Sequence, residues 1–268
     1  MIGSKKNNTT VVTLDGKFWD KQEILTNMMD DEFYFGYLGA NALSSSSCKK
    51  LLESPKSYED SLITQSSNSN PNFRIGHLFH WQLLEPNRYE ELHFVDVKRK
   101  DSIKFKEALS EYGEYNTYTV SERDIARRMA DSFLGNPKTA HFLNGTRCEV
   151  PAIGEIKGLP FRAKADILGS SFIVDLKSIA DLTRFKWSSR SFNYDVQLFI
   201  YCQLFGVSYS NFTFVAVDKS TGAIGIFECS REFYESGKEK TYDAINIYKD
   251  FFIDKKKKVE EFYLYDVL

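Results

Sequence analysis

Acidic and basic side chains in the middle of the sequence have the types that a hydrolytic metal site requires: Glu149, Asp166, Asp175 and Lys177. Carboxylate oxygens bind hard divalent cations such as Mg²⁺ or Mn²⁺, which can hold water and a phosphate group together. Such a cation lowers the pKa of water and polarises a phosphodiester, while a nearby ammonium can orient the water or offset charge in the transition state. This chemistry is open to the chain only if its fold brings these side chains together.

The segment that contains these residues has the alternation of an antiparallel sheet. It reads CEVPAIGEIKGLPFRAKADILGSSFIVDLKS, and two turn-forming stretches interrupt it. This pattern predicts a three-stranded antiparallel meander. Because opposed residues of a hairpin have numbers with a constant sum, a turn centred on 157–158 places Glu149 opposite Asp166. A second turn centred on 170–171 places Asp166 opposite Asp175.

Basic side chains share the face of these acids. Lys177 follows Asp175 by two positions and therefore points to the same side of the sheet. Arg162 and Lys164 likewise share the side of Asp166. Opposed Cβ atoms in such a sheet are about 4.5–5.5 Å apart, a spacing at which unpaired carboxylates repel each other. A divalent cation would remove this repulsion, so we expect a metal site at this face.

Helices and strands on either side of the meander complete an α/β arrangement. Their apolar residues recur at helical spacing or alternate, and polar, Gly or Pro turns separate them. Ser121 and Asp124 have the spacing of a capping box, and 65–71 reads as a polar loop. The predicted helices cover about 22–29, 44–53, 73–84, 101–112, 121–134, 191–205 and 231–253, and the further strands cover about 92–97, 211–217 and 224–229.

Several short motifs follow one another along the chain. They are Leu43-Ser-Ser-Ser-Ser47, Ser54-Pro55, Gly76-His-Leu-Phe-His80, Leu84-Glu-Pro86, Arg162-Ala-Lys-Ala-Asp166, Val174-Asp-Leu-Lys177 and Gln197-Leu-Phe-Ile-Tyr201. In type and order they resemble the motifs of the PD-(D/E)XK nuclease superfamily, and within it the RecE-like phage exonucleases, also called exodeoxyribonuclease VIII. The resemblance extends over about residues 40–255.

This resemblance implies a fold and a division of the chain. The fold would be an α/β, restriction-endonuclease-like PD-(D/E)XK core, in which a mixed central sheet with an antiparallel meander is flanked by helices. Residues 41–268 would form the nuclease domain, and residues 1–40 would form an N-terminal arm or cover.

The resemblance also implies roles for single residues. Lys177 would be the catalytic lysine. Glu155 shares the strand face of Glu149 and is an alternative to it, and His77 is as good a candidate as His80 if composition alone is considered. By resemblance, the catalytic set is Asp166, Asp175, Lys177, Gln197, Tyr201 and Glu149, and the metal ligands are His80, Asp166 and Asp175.

The implied activity is exonucleolytic hydrolysis of DNA with Mg²⁺, for which Mn²⁺ can substitute. A RecE-like enzyme resects linear duplex ends 5′ to 3′ and leaves a 3′ single strand for a single-strand annealing protein in recombination, and related enzymes form rings around DNA. One rival is a single-strand-specific or endonucleolytic nuclease of the same superfamily. Another is a catalytically inactive DNA-binding protein of this fold, which the complete set of Asp166, Asp175 and Lys177 disfavours.

Basic residues after the D-x-K strand are candidates for contacts with DNA phosphates. Arg184, Lys186 and Arg190 alternate with the aromatic residues Phe185 and Trp187. We expect them, together with Arg162 and Lys164, to bind DNA, although a solvated surface fits Arg184, Lys186 and Arg190 nearly as well. The lysine run at 255–258 is more typical of a solvated helix end.

Composition excludes several other classes of protein. The chain of 268 residues has a net charge of −2 and a pI near 6.1, so any binding of DNA must use a local basic surface. The cysteines are isolated, without a C-x-x-C pair, which argues against a zinc, iron–sulfur or redox centre. No apolar run approaches the length of a membrane span, and the N-terminus lacks a signal-peptide pattern. We therefore expect a cytoplasmic protein, in a bacterial host cell if the gene belongs to a phage.

Overall fold

The computed structural model describes residues 9–63 and 71–263, and the structural statements below concern these residues. The predicted loop at 65–71 lies outside them except for its last residue, which begins a helix. The strands are β1 (Thr10–Val12), β2 (Phe18–Asp20), β3 (His93–Val95), β4 (Thr117–Thr119), β5 (Arg147–Ile156), β6 (Leu159–Leu168), β7 (Ile173–Ile179), β8 (Phe212–Asp218) and β9 (Ile224–Glu228).

Helices lie between β2 and β3, between β3 and β4, between β4 and β5, between β7 and β8, and after β9. The α-helices are α1 (Lys21–Asn27), α2 (Leu38–Asn41), α3 (Ser45–Glu53), α4 (Pro55–Ile63), α5 (Pro71–Leu84), α6 (Pro86–Glu90), α7 (Ile103–Tyr112), α8 (Val120–Gly135), α9 (Pro137–Ala140), α10 (Phe185–Ser191), α11 (Tyr194–Phe205) and α12 (Arg231–Tyr248). Wider π-helical turns span Glu32–Tyr37 and Lys249–Ile253, and short 3₁₀ turns span His141–Leu143, Leu182–Arg184, Tyr209–Asn211 and Val259–Glu261. None of the described helices is long and apolar enough to cross a membrane.

The strands β5 to β9 form one sheet in chain order. The pairs β5–β6, β6–β7 and β8–β9 are antiparallel, whereas β7 and β8 are parallel. Parallel neighbours need a crossover connection, and α10 with α11 provides it. The predicted fold, a mixed central sheet with an antiparallel meander flanked by helices, is confirmed.

The register of the meander agrees with the one predicted from the sequence. The β5–β6 turn falls at 157–158, and the β6–β7 loop is centred on 170–171. These registers give Glu149, Asp166 and Asp175 opposed positions on three neighbouring strands.

The two faces of the sheet bury different helices. Alternate residues of β7 and β8 enter opposite cores, as the period of a strand requires. On one face, Ile173, Phe212 and Phe214 pack with apolar residues of α3, α11 and α12. On the other face, Val174 and Val215 pack with α5 and α8. The sheet is therefore enclosed, and a polar side chain inside it needs a partner.

Some predicted elements differ from the observed ones. The capping box of α8 is formed by Thr119 and Glu122, not by Ser121 and Asp124, which lie inside the helix. The helix predicted at 191–205 begins only at Tyr194, because Asn193 has a left-handed φ of 53° that separates it from α10. The last long helix is α-helical to Tyr248 and continues as a π-helical turn.

The N-terminal residues pack onto the edge of the sheet. Trp19, Ile24, Met28 and Leu38 form a small core with Ile153 of β5. The N-terminal segment also contacts the interior of the sheet, because the backbone carbonyls of Tyr34 and Ala42 accept hydrogen bonds from Arg162. The boundary at residue 40 stays a prediction.

Candidate active site

The opening between β6 and β7 is the structural basis of the site. The ladder between these strands contains Ile167–Val174 and Leu168–Ile173, and it ends before Asp166. Beyond that point the backbone N–H of Leu176 donates to Oδ2 of Asp166, 2.7 Å away. The carboxylate thus takes the place of a strand carbonyl and is fixed at the fork between the two strands.

Glu149 is brought to the same place by an unusual backbone conformation. Its φ is 52°, in the left-handed region that residues other than Gly rarely adopt. The flanking pairs Cys148–Ile167 and Val150–Ala165 keep the hairpin register, while the pair between them is interrupted. Strain of this kind is typical of functional sites. Ligand atoms of His80, Glu149 and Asp166 all lie within 4.8 Å of one another.

The orientation of His80 follows from its hydrogen bond. Nε2 lies 3.2 Å from the backbone oxygen of Leu176, and a carbonyl oxygen can only accept. Nε2 therefore carries the proton, and Nδ1, which is 3.7 Å from Oδ2 of Asp166, has a free lone pair. Burial, followed by the positive charge of Lys177, lowers the pKa of His80 to about 4. The ring is neutral near pH 7, the form in which histidine binds metal ions.

The carboxylates of the cluster are electrostatically unfavourable without a cation. Burial, then the charges of Asp166 and Glu85, raises the pKa of Glu149 to about 9. Burial, then the charge of Asp175, raises the pKa of Asp166 well above its usual value. Two crowded acids and a neutral imidazole are a donor set that fits a divalent metal ion, which would offset the repulsion.

Asp175, Lys177 and Gln197 form a second group beside the cluster. The amide nitrogen of Gln197 donates to Oδ1 of Asp175, and its oxygen accepts from Nζ of Lys177 at 3.1 Å. The Lys177 ammonium also contacts Oδ2 of Asp175. Although burial opposes it, the charge of Asp175 raises the pKa of Lys177 above its usual value. The lysine is therefore held as a cation in a fixed position.

Both carboxylate oxygens of Asp175 have polar partners within the site. The side chain is 1% exposed, Oδ1 accepts from the Gln197 amide, and Oδ2 is paired with the Lys177 ammonium. Buried carboxylate oxygens normally have such a partner. The compact cluster contains Glu149, whereas the sequence assigned Asp175 to the metal together with His80 and Asp166. Asp175 lies beside it and is paired with Lys177.

Tyr201 and Tyr194 extend the site along α11. The hydroxyl of Tyr201 donates to the backbone oxygen of Lys164 at 2.9 Å and so ties α11 to β6. The ring of Tyr194 lies 4.7 Å from Nζ of Lys177. Tyr194 was not among the site residues predicted from the sequence, although it precedes Gln197 by three positions and therefore shares its helix face.

The alternatives to Glu149 and His80 lie elsewhere. Glu155 is exposed near the far end of β5, outside the cluster. His77 packs against Trp81 with ring centroids 5.4 Å apart and is also outside the cluster.

The predicted DNA contacts fall into two groups. Arg162 is buried and donates to backbone carbonyls of the N-terminal segment, so its predicted place on a DNA-binding surface is wrong. Lys164 is mostly buried, and its Nζ lies 3.2 Å from a carboxylate oxygen of Asp31. The other group is exposed on and just before α10: Arg184, Lys186 and Arg190, with the exposed Trp187 between them.

Comparisons with known proteins identify relatives of this fold. A family model described as a PDDEXK-like domain of unknown function (DUF3799) matches residues 44–260. A crystal structure from Eubacterium rectale described as a "Putative exonuclease" is similar with a TM-score of 0.62 and 15% identity, over 89% of this chain and 95% of that chain. At this identity the likeness shows the fold alone.

Similarity to a second exonuclease structure is weaker. A phage related exonuclease from Haemophilus somnus 129PT has a TM-score of 0.33 and 14% identity, over 81% of this chain and 96% of its own, which is too distant to support an argument. No curated protein matches the chain at a significant level.

Proposed function

The chain belongs to the PDDEXK-like family DUF3799, and on this premise we propose that it is a metal-dependent nuclease that hydrolyses phosphodiester bonds of DNA. The PD-(D/E)XK motifs recognised in the sequence agree with this family. The observation that carries the proposal is the convergence of His80, Glu149 and Asp166 beside the buried Asp175–Lys177 pair.

The residues of the site have different roles in hydrolysis. His80, Glu149 and Asp166 would hold Mg²⁺, or Mn²⁺ in its place, with Asp175 alongside. When bound, the cation supplies Lewis-acid chemistry at the phosphate. Lys177, held by Asp175 and Gln197, orients the attacking water and offsets negative charge as the phosphorus becomes five-coordinate.

The path of the DNA follows the exposed basic residues. Arg184, Lys186 and Arg190 are solvent-exposed, and α10 is joined through Asn193 to the helix that carries Gln197. Trp187 is 69% exposed and offers a stacking surface for a base. We assign DNA phosphate contacts to these three exposed basic residues, whereas Lys164 is paired with Asp31.

The mode of cleavage proposed is exonucleolytic, 5′ to 3′ from linear duplex ends. Its support is the resemblance to RecE-like enzymes, and the Eubacterium rectale structure of similar fold is described as a "Putative exonuclease". The product would be a 3′ single strand for an annealing protein, and a ring of copies would enclose the duplex. The rival modes are single-strand or endonucleolytic cleavage, and binding without cleavage.

The test uses linear duplex DNA labelled separately at each 5′ and 3′ end, incubated with Mg²⁺, with Mn²⁺ or with EDTA. Cation-dependent early release of the 5′ label is expected. Cleavage of single strands with intact duplex would favour the rival nuclease, and absence of any cleavage would contradict enzymatic function.

A matched pair of variants on one strand tests the site itself. Glu149→Gln removes a clustered acid of β5, whereas Glu155→Gln removes an exposed acid of the same strand. We expect Glu149→Gln to lose cleavage by at least about 10²-fold, as for other groups that stabilise a charged transition state. Glu155→Gln is expected to match the wild type. Equal activity of the two variants would contradict the site.

A further inference from the structure

Lys49 of α3 lies beside the site without a protein partner for its charge. Its Nζ is 5.1 Å from the ring centroid of Tyr194, the same ring that lies 4.7 Å from Nζ of Lys177. Among the described residues the side chain of Lys49 has neither a hydrogen bond nor an ion pair. Two ammonium groups therefore share one aromatic ring, and only the ammonium of Lys177 has a carboxylate beside it.

The acids nearest to Lys49 form ion pairs with other lysines. Asp175 contacts Lys177, and Oδ2 of Asp195 lies 2.8 Å from Nζ of Lys240 and accepts from Ser236. Burial, followed by repulsion from Lys177, lowers the pKa of Lys49 to about 8. Because these two acids are paired with other lysines, a further anion beside Lys49 would stabilise its charge.

The neighbouring residue shows what an ordinary surface lysine does on this helix. Nζ of Lys50 lies 3.0 Å from a carboxylate oxygen of Glu53, and its side chain is 49% exposed. The sequence Lys49-Lys50 thus places one lysine in a surface ion pair and the other at the rim of the site. This difference gives a matched control on the same turn of α3.

We propose that Lys49 is a phosphate-binding residue, whose ammonium contacts a DNA phosphate adjacent to the one that Lys177 faces. The inference rests on the proposed function, because it takes DNA as the ligand. It adds a subsite formed by α3 and the Tyr194 ring. This subsite lies on the side of the active site away from α5, the helix that contributes His80 to the cluster with Glu149 and Asp166. Such a contact fixes the register of the strand and does not itself read sequence.

The first measurement is the affinity for a fluorescent duplex over a series of KCl concentrations in EDTA, where hydrolysis does not interfere. Each phosphate contact contributes about 0.9 to the slope of log K against log salt. Lys49→Met is expected to weaken binding several-fold and to reduce the slope by about 1. Lys50→Met should keep the wild-type slope, and Lys49→Arg should restore most of the affinity.

The second measurement locates the phosphate. Single phosphates of the duplex are replaced in turn by uncharged methylphosphonates, and the affinity is measured for the wild type and for Lys49→Met. At one linkage the substitution should weaken the wild type but add no further loss in Lys49→Met. At every other linkage the two effects should add.

The outcomes separate the subsite from the nuclease. An unchanged slope in Lys49→Met with a lower melting temperature would mean a structural lysine and would overturn the subsite while leaving the nuclease intact. Additive losses at every linkage would overturn it as well. A wild type that binds DNA with the Lys49 coupling but never cleaves it would contradict the nuclease and support the subsite. A wild type that does not bind DNA would contradict both.

Discussion

The backbone N–H and C=O of one residue, Leu176, hold two of the proposed metal ligands. The N–H of Leu176 donates to Asp166, and its carbonyl oxygen accepts from His80. Both backbone groups belong to β7 at the point where β6 has separated from it. The fork in the sheet therefore both creates the space for the site and supplies the hydrogen bonds that orient its side chains.

Lys177→Met tests the role of the lysine at the same scale. Removal of the ammonium should reduce turnover by about 10²–10³-fold, because transition-state charge loses its partner. It should also lower the free energy of unfolding by about 3 kcal/mol, because Asp175 stays buried without a counter-charge. Single-turnover cleavage and urea unfolding measure the two effects. Lys50→Met, at an exposed lysine outside the proposed DNA contacts, is the control, and full turnover in Lys177→Met would remove the lysine from the mechanism.

The residue positions of the site were predictable to different degrees. The opposition of Asp166 and Asp175 follows from turn positions, because the register of a hairpin is a local property. The left-handed backbone of Glu149 has no sequence signal, since that region favours Gly, Asn and Asp. The inward direction of Arg162 depends on acceptors at 34 and 42, which are distant in sequence, so alternation alone gave the wrong environment.

At the scale of elements, sequence periodicity located most helices and strands but not the tertiary contacts between them. Both Thr119 with Glu122 and Ser121 with Asp124 have capping-box spacing. The tertiary partner decides between them, because Glu122 is also bonded to the buried Arg74 of α5, with Nε and Oε1 2.7 Å apart. A local motif cannot reveal a partner so far away in the sequence.

This ion pair between α5 and α8 predicts a pH-dependent stability. Burial would raise the pKa of Glu122, but hydrogen bonds from Arg74 and Lys100 outweigh it and lower the pKa to about 2. The stabilisation is therefore complete above the unfolded pKa near 4.5 and is lost as the pH falls towards 2. Glu122→Gln should lower the free energy of unfolding by about 3 kcal/mol at pH 7.

Urea unfolding from pH 7 down to pH 3 measures this dependence. The difference between wild type and Glu122→Gln should shrink as the pH falls below 4.5. Asp124→Asn is the control, because that acid is exposed on the same helix. A difference that stays constant with pH would show that the loss comes from packing and not from charge.

The packing of α11 against α12 depends on a glycine. A Cβ at Gly237 would lie 1.9 Å from the backbone oxygen of Asp195, so α12 and α11 could not keep their present distance. Gly237→Ala should destabilise the protein by about 1–3 kcal/mol. It should also reduce cleavage, because α11 carries Gln197.

The matched control for this variant is Gly135→Ala at the end of α8. No atom lies within 4 Å of a Cβ built there, so the change should be neutral or stabilising by up to about 1 kcal/mol. Urea unfolding and cleavage rates measure both variants. Wild-type stability in Gly237→Ala would contradict the close approach of the two helices.

At the scale of the whole molecule, the proposed metal ligands join parts of the fold that are distant in sequence. His80 belongs to α5, Glu149 to β5 and Asp166 to β6. The family match begins only at residue 44, yet residues before it supply Asp31, which pairs with Lys164 near the cluster. A cation at the cluster would tie these parts together, so binding should be visible in the stability of the entire chain.

The expected result is a melting temperature that rises with Mg²⁺ or Mn²⁺ concentration. A ligand at 100 times its dissociation constant stabilises the folded state by about 2.7 kcal/mol, which corresponds to several degrees. Asp166→Asn should respond differently in two ways. Without metal it should melt no lower than the wild type, because the amide oxygen can still accept from Leu176 and the repulsion from Asp175 is gone. With metal it should gain little, because a charged ligand is missing.

Differential scanning calorimetry of wild type, Asp166→Asn and Glu155→Gln, each with EDTA and with increasing Mg²⁺, measures these shifts. Glu155→Gln should follow the wild type, because its acid lies outside the cluster. An equal metal-dependent rise in Asp166→Asn would mean that the cation binds elsewhere. Asp166→Asn is therefore expected to keep the wild-type melting temperature without metal and to show no rise in melting temperature with metal. This combination distinguishes a removed ligand from a disrupted fold, which would melt lower under both conditions.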